Sequence, residues 1–337
     1  PPAGRESDKF SGSLCLLALG LGFVHQLMTM SIVSLLRRFC PQFLFAPALL
    51  LALVPLTVRA QSSSPSSADG FDPNVDGIVY AITVQPDGKL LVAGKFSTVS
   101  PNGSGTPVAR NNLARFNADG SLDTGFNPNV NNQINALLLQ PDGKVVIGGI
   151  FTAVGGASRS CVARLNADGS LDGSLNTTFS NSPSPAIYAL ALQPDGKVVV
   201  GGSFTAVVPA GSATATVRNR IARFNADGSL DAGYNPNANA TVYSLAAQQN
   251  GKIVLGGLFT TLQPSGDAVT RNHIARLNAD GSIDAGFDPN ADASVMVLAL
   301  QPDGGILLGG FFTQLAPNGA DPATGRSRMA RLNADGS

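Results

Sequence analysis

Nearly unbroken apolar runs recur along the chain: "VYAITV" before Gln85, "INALLL" before Gln140, "IYALAL" before Gln193, "VYSLAA" before Gln248 and "VMVLAL" before Gln301. Because these runs do not alternate, they predict a strand buried on both faces. Pro-Asp-Gly follows most of them, as at Asp142-Gly143 and Asp195-Gly196, and the fourth copy has Gln249-Asn250 in place of Pro-Asp. Pro suits the second turn position and Gly can take positive φ, so this motif predicts a turn. A second apolar run then returns, "KVVIGGIFT" in one copy and "KIVLGGLFT" in another, which closes a hairpin. The Gly-Gly inside it marks a bulge or a close backbone approach. After a stretch of variable length, "NLARFN", "CVARLN", "RIARFN", "HIARLN" and "RMARLN" predict a third strand. Ala-Asp-Gly-Ser turns the chain again, and a short fourth segment leads to "GFNPN", "GYNPN" or "GFDPN". No segment keeps a 3.6-residue period over a helical length, so almost no helix is expected.

The turn motif steps by 55, 53, 55 and 53 residues, and the decapeptide "ARFNADGSLD" and its near copies by 49, 59, 53 and 55. Both therefore keep a period of about 54 residues, and the length variation is confined to one stretch per unit, the mark of a loop on one face. Three to four short antiparallel strands in each of five such units is the pattern of a β-propeller blade. The fold class expected is all-β: a β-propeller of five repeats, the last truncated, over residues 68–337 and forming part of a larger propeller. "GFDPNV" (Gly70 to Val75) repeats the fourth segment ahead of the first unit. It either completes the last unit and closes a five-bladed ring, or the chain is a piece of a longer array. The Met-less start and the stop at Ser337 favour the second reading.

"QPDGKVVIGGIFTAV" (Gln140 to Val154) and "ARFNADGSLDTGFNPNV" (Ala114 to Val130), each recurring, resemble the delta-60 repeat β-propellers of secreted bacterial proteins. The resemblance covers everything after about residue 68. It implies an extracellular propeller-like module and brings no defined catalytic residues. "GSLNTTFSNSP" (Gly173 to Pro183) departs from the pattern in the second copy.

The chain has 337 residues, 44% of them apolar and 13% charged, with zero formal net charge. That is apolar enough for a core and gives no electrostatic reason to expect nucleic acid as a partner. Residues 1–29 read as upstream read-through. Residues 30–60 read as a signal peptide: Arg37-Arg38, an apolar run from Phe43 to Leu56, then Val58-Arg59-Ala60 as a small-x-small cleavage site near Ala60. The run is short and interrupted by Pro47 and Pro55, so an uncleaved membrane anchor is the lesser alternative. A Ser-rich linker fills 61–67, and the expected location is outside the cell or on its surface.

Cys15, Cys40 and His25 lie in the leader, which leaves Cys161 and His273. Both occupy a position that holds Asn112, Arg220 and Arg328 in the other copies, so it reads as exposed or permissive. On that reading Cys161 is an incidental thiol and His273 an exposed strand-edge residue. One histidine supports neither a Ser-His-Asp set nor a zinc site, and no phosphate-binding glycine loop is present.

Arginine recurs twice per unit: Arg110, Arg159, Arg218, Arg271 and Arg326, then Arg115, Arg164, Arg223, Arg276 and Arg331 five residues later. Odd spacing within one strand puts the two sets on opposite faces. The second set lies among apolar residues, and a buried guanidinium needs a carboxylate or carbonyl. It is therefore expected to pair with an Asp of a turn, of the Asp142 or the Asp123 type, tying strands or neighbouring blades. Calcium is a weaker reading of Asn117, Asp119 and Asp123, because the Gly spacing differs from an EF-hand loop and no distal Glu follows.

No catalytic, cofactor or metal residue is expected beyond that calcium alternative. The expected role is a non-catalytic scaffold or interaction module that meets an unknown protein or glycan through variable loops such as Pro101–Val108 and Pro209–Val217. Nucleic acid is not expected, and membrane contact only through an uncleaved leader. A polysaccharide-acting hydrolase or lyase is the competing class, since propellers can host paired carboxylates.

Overall fold

The computed structural model describes residues 71–101, 105–180, 184–320 and 322–337. The read-through segment, the signal peptide and the linker lie outside the described residues. All of the described chain falls in one compact unit spanning Ser64–Ser337.

Five similar sheets follow one another. The first strands are Ile78–Val84, Ile134–Leu139, Ile187–Leu192, Val242–Ala247 and Val295–Leu300. Each pairs antiparallel with a second strand, which pairs with a third, as Ile187–Leu192 does with Val198–Gly202 and that with Ile221–Phe224. The Pro-Asp-Gly turn joins the first pair. Helix is nearly absent, as expected: among the described residues there is no α-helix, and Pro317–Gly319 forms a 3-10 turn.

The strand buried on both faces is the second, not the first. Val145–Gly149, Val198–Gly202 and Ile253–Gly257 are buried throughout, whereas the first strands are half-buried along much of their length. The physical reason is position: the second strand is central and the first is the sheet edge. The Gly-Gly pair does mark a close approach. A Cβ on Gly149 would lie 2.1 Å from the Gln133 carbonyl oxygen. The register shift falls in the partner, between Ile134 and Ala136 and at the same place in every other first strand.

The fourth segment is hardly a strand. It makes one bridge to the third strand at Phe116–Leu122, Phe224–Leu230 and Leu277–Ile283, and a two-residue strand, Leu171–Asp172, in the second unit. The variable stretch, read from sequence as a loop, has paired edges: Thr98–Val99 with Val108–Ala109, and Thr261–Leu262 with Val269–Thr270. The Asp-Pro-Asn or Asn-Pro-Asn segment ahead of each of these ribbons joins it, through Val75–Val99 and Ala238–Leu262.

Core residues collect between units. Leu91 and Leu113 of the first unit pack with Val145, Ile147 and Leu165 of the second, and the same arrangement recurs at the next three junctions. Burying about a dozen aliphatic and aromatic side chains at each junction, at about 1.5–3 kcal/mol apiece relative to exposure, makes the junction rather than the lone sheet the stable element.

Candidate functional site

The first four units build the same corner from an arginine, an aspartate and a lysine, and three of them add an aromatic ring. The third strand supplies an arginine, the fourth segment an aspartate, the second strand a lysine just after its turn, and the end of the repeat an aromatic ring. Asp123 Oδ2 accepts from Lys89 Nζ at 2.9 Å and from Arg115 Nε at 2.9 Å. Asp172 holds Lys144 and Arg164, Asp231 holds Lys197 and Arg223, and Asp284 holds Lys252 and Arg276. The arginines then cross to the next unit. Arg115 Nη1 donates to the Ala167 carbonyl at 2.5 Å, Arg164 to Ala226 at 2.7 Å, Arg276 to Ala334 at 2.5 Å, and Arg223 donates to Ala279. Those carbonyls belong to the next Asn-Ala-Asp-Gly-Ser turn.

The aromatic ring lies under the guanidinium: Phe126 at 4.2 Å from Arg115, Tyr234 at 4.0 Å from Arg223 and Phe287 at 4.4 Å from Arg276. The same ring meets the glycine of the next turn. Gly169, Gly281 and Gly336 have φ of 90°, 95° and 97°, and a Cβ on any of them would lie within 2.8 Å of the ring. In the second unit, with its altered segment, the Ser174–Leu175 backbone meets Gly228 of the next turn, and the Ser174 hydroxyl supports both Asp172 and Arg164.

Desolvation works against the charged form of Asp123, but the Lys89 hydrogen bond and the Arg115 charge outweigh it and hold the carboxyl below its usual range. Asp172, Asp231 and Asp284 are lowered in the same way by their own Lys and Arg. Burial pushes the Tyr234 phenol well up, and its hydroxyl is buried without a hydrogen-bond partner.

Of the two aspartate types offered by the sequence, the corner uses the Asp123 type. Asp142 and Asp195 instead accept the backbone N–H of Lys144 and Lys197 in their own turns, with Gly143 and Gly196 at φ 82°. The fifth unit differs: Arg331 binds Gln301 and Asp303, an aspartate of the Asp142 type, the latter at 2.5 Å. The three oxygens weighed for calcium do not converge. Asn117 donates to Ser121, Asp119 accepts from Ser121, and Asp123 accepts the Lys and Arg just described. Among the described residues no cluster of three or more His, Cys, Asp or Glu is placed to hold a metal.

The two arginine sets do not occupy opposite faces of one strand. The residue between them has positive φ in every copy: Asn112 at 62°, Cys161 at 64°, Arg220 at 66°, His273 at 65° and Arg328 at 68°. That kink resets the side-chain alternation. Arg110, Arg218 and Arg271 are buried too, each bonded to the carbonyl of the preceding residue. The reading of this position as exposed holds only for Arg328: Asn112 and Cys161 are buried, and Arg220 and His273 are half-buried. Cys161 is 2% exposed, its thiol donating to the Pro185 carbonyl and its pKa raised by burial. His273 is half-buried, with Nδ1 3.2 Å from the Gly257 carbonyl oxygen. What the five residues share is a left-handed backbone, which a residue-type comparison does not register.

Beside His273 a cleft of about 300 Å³ is lined by Asn272, Asn290, Asp292 and Gln314. Asp292 is already engaged there by the Thr313 hydroxyl and the Thr313 and Gln314 backbone N–H groups.

Five repeated antiparallel sheets, packed face to face and pinned at one corner, define a β-propeller. A family model described as "Domain of unknown function (DUF5122) beta-propeller" matches at residues 85–126, 140–179, 193–234, 248–287 and 301–337, and the chain belongs to that family. Each matched repeat but the last ends on the corner aromatic or its counterpart. The fold is similar to virginiamycin B lyase from Staphylococcus aureus (14% identity, 77% of this chain and 72% of that one, TM-score 0.48). It is also similar to the designed Ika8 protein (14%, 77% and 81%, TM-score 0.44). The chain spans about half of the WD40 propeller domain of Doa1 (17%, 54% and 48%, TM-score 0.35). No curated protein sequence matches.

Proposed function

We propose that this chain is a secreted, non-catalytic propeller scaffold that meets a protein or glycan through the variable ribbons of its units. One observation carries the reading: the recurrent carboxylates, Asp172 buried and the others half-buried, are spent on the same Lys–Asp–Arg corner in four successive units. A catalytic acid has to differ from its neighbours in environment, and these four are alike. The sequence difference between units collects instead in the ribbons, where residues such as Pro209–Thr216 are small and polar and Val217 is exposed. The leader supports a secreted location.

Probing a glycan array and an extracellular-matrix protein panel with the full chain tests this. A variant in which 209–215 is shortened to the Gly155-Gly156 form of the second unit is the control. The expected result is binding to at least one surface component, lost in the shortened variant while its unfolding midpoint stays unchanged. Release of reducing ends from a polysaccharide by the full chain would overturn the scaffold reading in favour of a hydrolase or lyase.

A further inference from the structure

In the first, third and fourth units the left-handed kink ahead of the third strand stands against the start of the next unit. There the Val130, Ala238 and Ala291 N–H groups donate to the carbonyls of Asn111, Asn219 and Asn272. The side chain at the kink decides what space is left. In the first unit it is used up: Asn112 Nδ2 donates to the Val130 carbonyl at 2.7 Å, its Oδ1 accepts the Phe96 N–H, and the residue is buried. In the third unit Ala238 replaces the valine, and the longer Arg220 stands at the kink, donating to the Phe204 carbonyl at 2.9 Å. In the fourth unit the small residue stays, as Ala291, and the kink holds His273. Its imidazole turns to the Gly257 carbonyl through Nδ1, and the cleft of about 300 Å³ opens beside it.

The ribbon of the fifth unit, Gln314–Leu315 paired with Thr324–Gly325, closes the other side. Ala291 bridges to Leu315, the Asp292 N–H donates to the Gln314 carbonyl, and the Ala316 N–H donates to that of Asn290. Gln314 stands where the ribbons of the second and fourth units have Ala153 and Thr261, each of which donates its N–H to the residue equivalent to Asp292. A glutamine amide therefore lines this cleft, in a place that an alanine or a threonine takes elsewhere.

The polar groups of the lining fix the class of ligand. Among the described residues, His273 Nε2, the Gln314 side-chain amide, Asn272 Oδ1 and Asn290 Nδ2 have no protein partner. They offer donors and acceptors side by side. The lining includes no Lys or Arg, so an anion would find no positive charge. Its one carboxylate, Asp292, is engaged on both oxygens by Thr313 and Gln314, whereas a hard cation wants several free oxygens. Ala291, Ala316 and Ala323 add small apolar surface among the polar groups. A ring whose hydroxyls both donate and accept, and whose C–H faces are apolar, matches this mixture. The volume is at the low end of the range of about 300–1,000 Å³ for small-molecule sites, which gives room for one ring rather than a chain.

The geometry points to a binding site for one neutral sugar ring, a pentose or a hexose, between His273 of the fourth unit and Gln314 of the fifth. The site rests on the reading above, that the chain meets a glycan through its ribbons, and adds the place and the class of ligand.

Ligand-observed NMR titration of the full chain with the methyl glycosides of neutral pentoses and hexoses tests the ring by itself, and a glycan array tests it as the terminal residue of a chain. Three substitutions introduce residues that other units hold at the same places, so the fold is expected to accept them: His273→Arg, Ala291→Val and Gln314→Ala. Circular dichroism and the unfolding midpoint check that it does. The expected result is that at least one methyl glycoside binds and that each substitution weakens its binding by about tenfold or more. Array binding that is lost in His273→Arg assigns the ring to the end of a glycan, and methyl glycoside binding without it assigns a free sugar. No binding of any neutral methyl glycoside, binding that a folded variant of the three leaves unchanged, or binding of sugar acids alone would overturn the site. Array binding lost on shortening 209–215 but untouched by the three substitutions, with no methyl glycoside bound, would overturn this site and leave the scaffold reading standing. Release of reducing ends from a polysaccharide, with the methyl glycoside still bound, would overturn the scaffold reading and leave the sugar site in place.

Discussion

At Arg223 one guanidinium touches the Asp231 carboxylate, the Gln193 side-chain oxygen, the Ala279 carbonyl of the next unit and the face of Tyr234. Its side chain is almost wholly buried, so these partners replace the water it has lost. Removing it leaves Asp231 partly buried with Lys197 and the Gly233 N–H as its bonded partners. Breaking a buried pair in this way costs about 3 kcal/mol. Arg223→Met is expected to lower the stability of the fold by about that amount, read from the midpoint of urea unfolding, and an unchanged midpoint would show that the pair does not hold the units. That an arginine placed among apolar residues needs a partner was legible in the sequence. Which aspartate it takes was not. Asp142 and Asp123 both sit in turns, and only the folding of the fourth segment back against the third strand brings the second of them to the guanidinium.

At the scale of the element, the Asn-Ala-Asp-Gly-Ser turn does two things. Asp280 accepts the Ser282 hydroxyl and backbone N–H, which closes the turn, and Gly281 lays bare backbone against the Tyr234 ring. Gly281→Ala adds a Cβ 2.7 Å from Tyr234 at φ 95°, so ring and turn must separate. The loss expected is about 2–3 kcal/mol, combining backbone strain with disturbed packing. Gly266→Ala, at φ 65° with open space around it, is expected to cost about 1 kcal/mol. Differential scanning calorimetry on both variants compares them, and equal shifts would rule out the ring contact as the cause. Strand order and turn chemistry could be read from the apolar runs and the Asp-Gly pairs. The left-handed kink at Asn112, Cys161, Arg220, His273 and Arg328 could not, because three of the five, Cys161, Arg220 and Arg328, are of types with no preference for that backbone conformation.

For the molecule as a whole, the four corner aspartates have the same dependence on pH. Each has a folded pKa below its unfolded value near 3.9, so the unfolded chain binds more protons as acid is added. Their contribution is fully present above the unfolded pKa and is lost as pH falls through the folded one. The unfolding midpoint is therefore expected to be flat near neutrality and to fall below about pH 4, where calorimetry across that range would record it. A midpoint that rose on acidification would contradict the corner.

The sequence by itself determined the all-β class, the period of the units, the Pro-Asp-Gly hairpin and the need of the third-strand arginine for a partner. Each of these rests on local chemistry: apolar spacing, turn residues and the cost of a buried charge. That the central second strand is the most buried and that the arginine reaches into the next unit came from the tertiary structure alone. Those depend on what packs against what between units, and the register and the paths of neighbouring chains set that contact, which no single segment encodes.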